Sequence, residues 1–348
     1  MKRGLVLLDP KETSLEDLSG RVNKFQEYLN QQGVTVALIY GDVYHSSDIT
    51  YLSNICIYWN EGILAVPVKG EPALLSKLSS RVHTWMKKTS TLMDLRSGQN
   101  FADLVEKYVI DAEPGTLGLV EMEWWPADIV EQIKDKLPEW KINNIKNVVK
   151  QERQIPSDRE LTLLKKSSEI SARAVNLGMN RSLTNHERAG LAEKEARMSG
   201  VEDVFVFSHE STKHADTVEV ISEYRGYWSV AARVVSKVQI GWEYQLGQAY
   251  KTAEQLLRAG IDIEKLRKAV TEVLKDEDIK WKIDLIHHTD LETHGDYRLT
   301  GEEVNPVENG SVVGMRLQIN FGDGSTAVMA DTFLIKKDSA ECLTNVFL

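Results

Sequence analysis

The stretch VVKQERQIPSDRELTLLKKSSEISARAVNLG, residues 148–178, constrains this chain most, because the patterning changes character there. Pro156 interrupts the chain, Ser157 and Glu160 stand at capping-box spacing, and a long amphipathic helical pattern follows. Before this stretch, helix and strand patterns alternate. TSLEDLSGRVNKFQEYLNQQG predicts a helix with Thr13 as N-cap, Glu16 as its partner and Gly33 as its stop. VTVALIYG predicts a buried strand, GILAVPVKGEPALLS a hairpin turning at KGEP, and GTLGLVEMEWWPADIVEQIKDKL a strand followed by a helix opened by Pro126. Such alternation predicts an α/β layer structure.

After the break, helices and strands segregate. A helix starts at TNHE, with Thr184 as cap and Glu187 as partner. EVISEYRGYWSVAAR, residues 219–233, holds two alternating runs around an Arg-Gly-Tyr turn and predicts a hairpin. Helical patterns follow around YQLGQAYKTAEQLLRAG and IDIEKLRKAVTEVLKD, and GSVVGMRLQINFGDG and TAVMADTFLIKKD make the end β-rich. The expected fold class is therefore α+β for residues 153–348, preceded by an α/β domain over residues 1–152.

The charge balance, 42 Lys and Arg against 52 Asp and Glu, argues against a nucleic-acid backbone or an anionic membrane as partner. Cys56 and Cys342 lie far apart without metal-ligand spacing, which fits a reducing compartment. The apolar stretch in MKRGLVLLDPKE is too short for a signal-peptide core, and no segment has the apolar length of a membrane span. A cytoplasmic location is the expectation.

Five of the eight histidines lie between His209 and His294, and three share IHHTDLETHGDYR with Asp290, Glu292, Asp296 and Arg298. Such a stretch can supply general acid–base groups or simply a solvated polar loop. No HExxH or cysteine-rich spacing points to a metal. Glu219 and Glu223 share a face of one strand, Arg233 and Arg298 are candidates to hold an anionic group, and Tyr227 and Trp228 read as packing residues.

In order and spacing, these segments resemble the creatinase / Xaa-Pro aminopeptidase / prolidase family. GVTVALIYG, DITYLSN and GILAVPVKGEPALL resemble the creatinase-type N-terminal domain, and IPSDRELTLLKKSSEIS the segment that opens the catalytic domain. GYWS with Arg233, the histidine segment, GMRLQINFG and ADTFLI follow in the family's order. The resemblance implies a pita-bread C-terminal domain. Metal-dependent members bind two divalent ions through two Asp, one His and two Glu. Carried over, the two Asp positions fall on Glu219 and Val230, the histidine on His287, and the two Glu positions on Asn320 and Ala330.

Val and Ala cannot ligate, so the resemblance implies loss of the two-metal centre. A rebuilt single-metal site on Glu219, His287 and Glu292 is an alternative. Creatinase, the metal-free branch, uses a histidine base and clamps a guanidinium between carboxylates. Those clamp positions fall on Ala232 and Asn320, which argues against creatine. His209 or His214 is the candidate base, while His287 and His294 match the family's catalytic-domain histidines. In the creatinase branch a partner subunit's N-terminal loop lines the pocket. Here that loop would be ICIYWNEG, with Tyr58 and Trp59, which implies a homodimer.

The expected function is metal-independent hydrolysis or lysis of a C–N bond in a small nitrogenous metabolite, without a cofactor. An atypical metal-dependent Xaa-Pro aminopeptidase or dipeptidase, or a non-catalytic binding protein, are the alternatives. Catalytic candidates are His287, His294, Glu219, His214 and His209. Substrate-binding candidates are Arg233, Arg298, Glu223, Asn320, Tyr58 and Trp59.

Overall fold

The structure, a computed structural model, describes residues 8–146, 148–180, 182–209, 216–235, 241–275, 280–293, 307–322 and 324–345. It divides into two compact units, one spanning Arg3–Arg153 and one built on Gln154–Leu348.

In the first unit, α1 (Leu15–Gln31) is capped by Ser14, whose hydroxyl accepts from the Asp17 N–H and donates to the Asp17 carboxylate. The cap therefore lies one residue beyond the expected Thr13, because Ser14 and Asp17 repeat the same spacing and Thr13 is buried. There follow β1 (Val36–Asp42), α2 (Ser47–Ser53), β2 (Glu61–Pro67), β3 (Ala73–Ser76), α3 (His83–Thr89), β4 (Asp94–Ser97), α4 (Phe101–Val109), β5 (Thr116–Val120), α5 (Ala127–Lys136) and β6 (Lys141–Ile145). The sheet runs β4-β3-β2-β1-β5-β6, with antiparallel β1–β2 and β2–β3 pairs and parallel pairs elsewhere. Alternation along β1 sends Ala37 and Ile39 into one core with Phe25 and Leu29 of α1. It sends Val36 and Leu38 into a second core with α4 and α5. This is the expected α/β layering.

A short α6 (Val148–Gln154) leads to α7 (Asp158–Gly178) and α8 (Asn185–Met198), and each of these two starts with a complete capping box. Next come β7 (Asp203–His209), β8 (Asp216–Tyr224), β9 (Tyr227–Val235), α9 (Trp242–Glu254), α10 (Ile263–Val273), β10 (Lys280–His287), β11 (Val312–Asn320), β12 (Thr326–Ile335) and β13 (Ala340–Cys342). Among the described residues these strands form one antiparallel sheet, β10-β11-β12-β9-β8-β7, with β13 beside β12.

The β8–β9 turn is the two-residue Arg225–Gly226, both at positive φ (54° and 84°), the primed geometry that matches strand twist. One face of the sheet packs Val218, Val220 and Ala231 with α7 and α8, and Met315, Leu317 and Phe333 with α9 and α10. Between α7 and the sheet, the fully buried hydroxyls of Ser167, Ser171, Ser222 and Ser229 bond one another at 2.8 Å.

The β9–β12 junction is registered at Ala232 opposite Ala330. Threonine hydroxyls complete it. Thr332 Oγ1 accepts from the Val230 N–H and donates to the Val230 carbonyl, while Thr217 Oγ1 accepts from the Val328 N–H.

Candidate functional site

The other face of the large sheet carries the positions singled out from sequence. Cross-strand register lines up one row across it: Asp284 on β10, Arg316 on β11, Ala330 on β12, Ala232 on β9, Glu219 on β8 and Phe207 on β7. Arg316 and Glu219 are three strand spacings of about 4.8 Å apart. Their side chains meet across the two alanines. Arg316 Nε donates to Glu219 Oε1 at 2.8 Å and Nη2 to Oε2 at 3.1 Å, a side-on bidentate pair with both residues buried. Only small side chains at 232 and 330 leave room for that crossing.

The polar chain continues along β11. Arg316 Nη1 donates to Gln318 Oε1 at 2.6 Å, and Gln318 Nε2 donates to Asn320 Oδ1 at 2.5 Å. Lys282 Nζ stands 3.0 Å from Asp284, whose carboxyl is pushed above the ordinary range by burial, against the lowering pull of Lys282 and Arg316. His209 ends β7 on the same face, its ring stacked on Phe207. Burial holds its pKa below the ordinary 6.5, Glu219 pulls it up and Arg316 pushes it down. His209 Nε2 is buried and makes no hydrogen bond among the described residues.

Beside this polar arm, Ile221, Trp228, Val230, Ala232, Ile286, Leu291, Val328 and Ala330 form an apolar cluster. Trp228 is fully buried and stacks on Phe205 with centroids 5.9 Å apart, the packing role expected of it. Glu223 pairs in register with both Asp203 and Trp228 and is buried.

The residues present do not fit the two divalent ions of the metal-dependent proteins that the sequence resembles. Val230, Ala232 and Ala330 lie in the apolar cluster, Asn320 Oδ1 already accepts from Gln318, and the Arg316 guanidinium takes both oxygens of Glu219. No group of three or more His, Cys, Asp or Glu positioned to hold a metal exists among the described residues. Two cations do not fit beside a guanidinium where the shared oxygens are missing.

Other expected residues are placed elsewhere. Arg233 does not face this site as an anion holder. Its guanidinium donates to Asp331 at 2.6 Å and to the carbonyls of Ala232, Ala330 and Thr344, so it is a structural cation. The reason is strand alternation, since Ala232 faces the row and the next residue faces away. His287 ends β10 opposite Val313, on the alternate side from Asp284 and Ile286. The adjoining His288 is buried near the Tyr227 ring, and the Tyr227 hydroxyl donates to Glu160. Tyr58 and Trp59 belong to the first unit, where they cluster with Trp85 and the Trp59 indole donates to the Glu61 carbonyl. His214, His294 and Arg298 lie outside the described residues.

Sequence reasoning missed Arg316, Gln318 and Asp284. The available signal was the one charged residue in the strand VVGMRLQIN, since a buried guanidinium requires a counter-ion.

Comparisons with known proteins bear on the fold that carries this row. Residues 21–155 match the family model Creatinase/Prolidase N-terminal domain. An uncharacterized peptidase of Methanocaldococcus jannaschii is 27% identical over 235 residues, covering 59% of this chain and 67% of that protein. X-Pro aminopeptidase of Thermotoga maritima superposes with a TM-score of 0.77 at 20% identity, covering 94% of this chain and 98% of that one. Prolidase of Pyrococcus horikoshii does so at 0.76 and 17%, covering 94% and 99%. The fold is therefore that of these pita-bread proteins, residues 21–155 form a creatinase/prolidase-type N-terminal domain, and the described residues hold no group of three or more potential metal ligands.

Proposed function

We propose that the chain is a metal-independent, creatinase-like hydrolase that cleaves a C–N bond in a small nitrogenous metabolite other than creatine. One observation carries the reading. Along the Arg316–Ala330–Ala232–Glu219 row, a fixed guanidinium takes both oxygens of Glu219, and a methyl group stands at Ala330, where the resemblance would put a metal-binding Glu.

On this reading His209 is the general base. Burial keeps its imidazole neutral near pH 7, so it can accept a proton from the attacking water and return it to the departing nitrogen. The Arg316–Glu219 pair holds the charge of Glu219 in place beside it. Creatine is disfavoured because Ala232 and Asn320 provide no carboxylate for its guanidinium.

The names of the structural neighbours favour a second reading, Xaa-Pro peptidase activity. Protein stripped of metal is to be offered a panel of small N-acyl, carbamoyl and amidino compounds and a set of Xaa-Pro dipeptides, with amine release measured. Cleavage of a small metabolite without added metal supports the proposal. Turnover of Xaa-Pro dipeptides alone, and only with added Mn or Co, supports the second reading and ends the first.

A further inference from the structure

The Arg316–Glu219 pair raises a question that loss of ligands alone does not answer. A member that merely lost its acids would have a hydrophobic patch at this point of the sheet. This chain instead keeps Glu219 buried and sends an arginine across two strands to meet it.

We propose that Arg316 is the built-in cation of this site: its guanidinium occupies the ground above Ala232 and Ala330, neutralises Glu219 and so excludes divalent ions from the sheet face. Three features support this. Both oxygens of Glu219 are engaged by Nε and Nη2, so the carboxylate's metal-binding lone pairs face a guanidinium. Nη1 is held by Gln318, and Gln318 by Asn320, which fixes the planar group at a set depth. The residues beneath the crossing are both alanines, and a longer side chain at 232 or 330 would occupy the space of the bridge.

Charge bookkeeping supports the same assignment. A carboxylate buried this deeply is costly without a counter-charge, and an arginine meets the need without recruiting an ion. Asp284, opposite Arg316 in register, gives the guanidinium a second acidic neighbour on its outer side. His209 stands on the Glu219 side, and Lys282 on the Asp284 side. The arrangement does not depend on the reaction and would hold in a binding protein equally.

Chemical rescue tests the role. Arg316→Ala is to be heated with and without guanidinium chloride at about 10 mM, far below denaturing levels, and in parallel with NaCl, MnCl2 and ZnCl2. The variant is expected to melt on the order of 10 °C below wild type. Guanidinium, and not sodium, should restore a measurable part of that loss while leaving wild type unmoved. If Arg316→Ala does not fold, the double variant Glu219→Leu/Arg316→Leu is expected to fold and to ignore guanidinium, because neither charge remains. An Arg316→Ala protein as stable as wild type, or a wild type stabilised by stoichiometric Mn or Zn bound at this face, would overturn the proposal. Metal-free protein that turns over no substrate would count against the proposed reaction and leave the rescue result standing.

Discussion

Val230 and Gly314 are fitted to one another across the sheet face: a Cβ built on Gly314 would stand 2.7 Å from Val230 Cγ1. The resemblance would put a metal-binding Asp of metal-dependent members at position 230, and here the Val230 methyl group uses the space that glycine leaves. Gly314→Ala should therefore destabilise the protein by about 1–3 kcal/mol through overpacking. Val230→Ala in the same chain should return much of that loss. Urea denaturation of the single and double variants measures the coupling, and additive effects would refute the fit.

His209 sets a pH dependence. Its folded-state pKa lies below 6.5, so the folded protein binds this proton more weakly than the unfolded chain. The stability it contributes is full above pH 6.5 and is lost as pH falls through the lower folded value. If it is the base, the acid limb of kcat/KM also lies below pH 6.5, and His209→Gln should reduce kcat by about 10²–10⁴-fold. NMR titration of the His209 ring checks the pKa without any substrate. A value at or above 6.5 would contradict it.

The serine network between α7 and the sheet should behave as a unit. Ser171 bonds both Ser222 and Ser229, and Ser167 bonds Ser229 as well as the Ser222 carbonyl. Ser171→Ala removes one partner from each of the buried Ser222 and Ser229 hydroxyls and should cost about 1–3 kcal/mol. Ser171→Ala/Ser229→Ala should cost less than the sum of the two single changes, because it removes both ends of one bond. Equilibrium unfolding decides between coupled and independent behaviour.

Arg233 separates a structural from a binding role. Arg233→Ala removes the cation paired with buried Asp331, leaving that carboxylate the Thr344 hydroxyl, and should lower stability by about 1–3 kcal/mol. The protein that remains folded should keep its KM for substrate. A rise in KM without loss of stability would restore the anion-holding role expected from the sequence.

These results mark what was legible in advance. The capping boxes at Ser157 and Thr184 and the Arg225–Gly226 turn were readable because each is encoded within a few residues. The emptied positions at Val230 and Ala330 were legible through resemblance, since their residue types alone rule out ligation. The Arg316–Glu219 pair was not, because its partners are 97 residues apart and meet only through the strand order β11-β12-β9-β8. The partner of Arg233 is hidden for a related reason: its residue type fits an anion site or a structural ion pair, and only the folded sheet brings it to Asp331.

The central claim is that this face works without divalent ions. The most direct test is elemental analysis of protein equilibrated with Mn, Co and Zn and then desalted, with C–N bond cleavage assayed before and after chelation. The account predicts less than stoichiometric metal and activity indifferent to the chelator. Two equivalents of bound metal, with activity lost on chelation and regained on adding metal back, would contradict it.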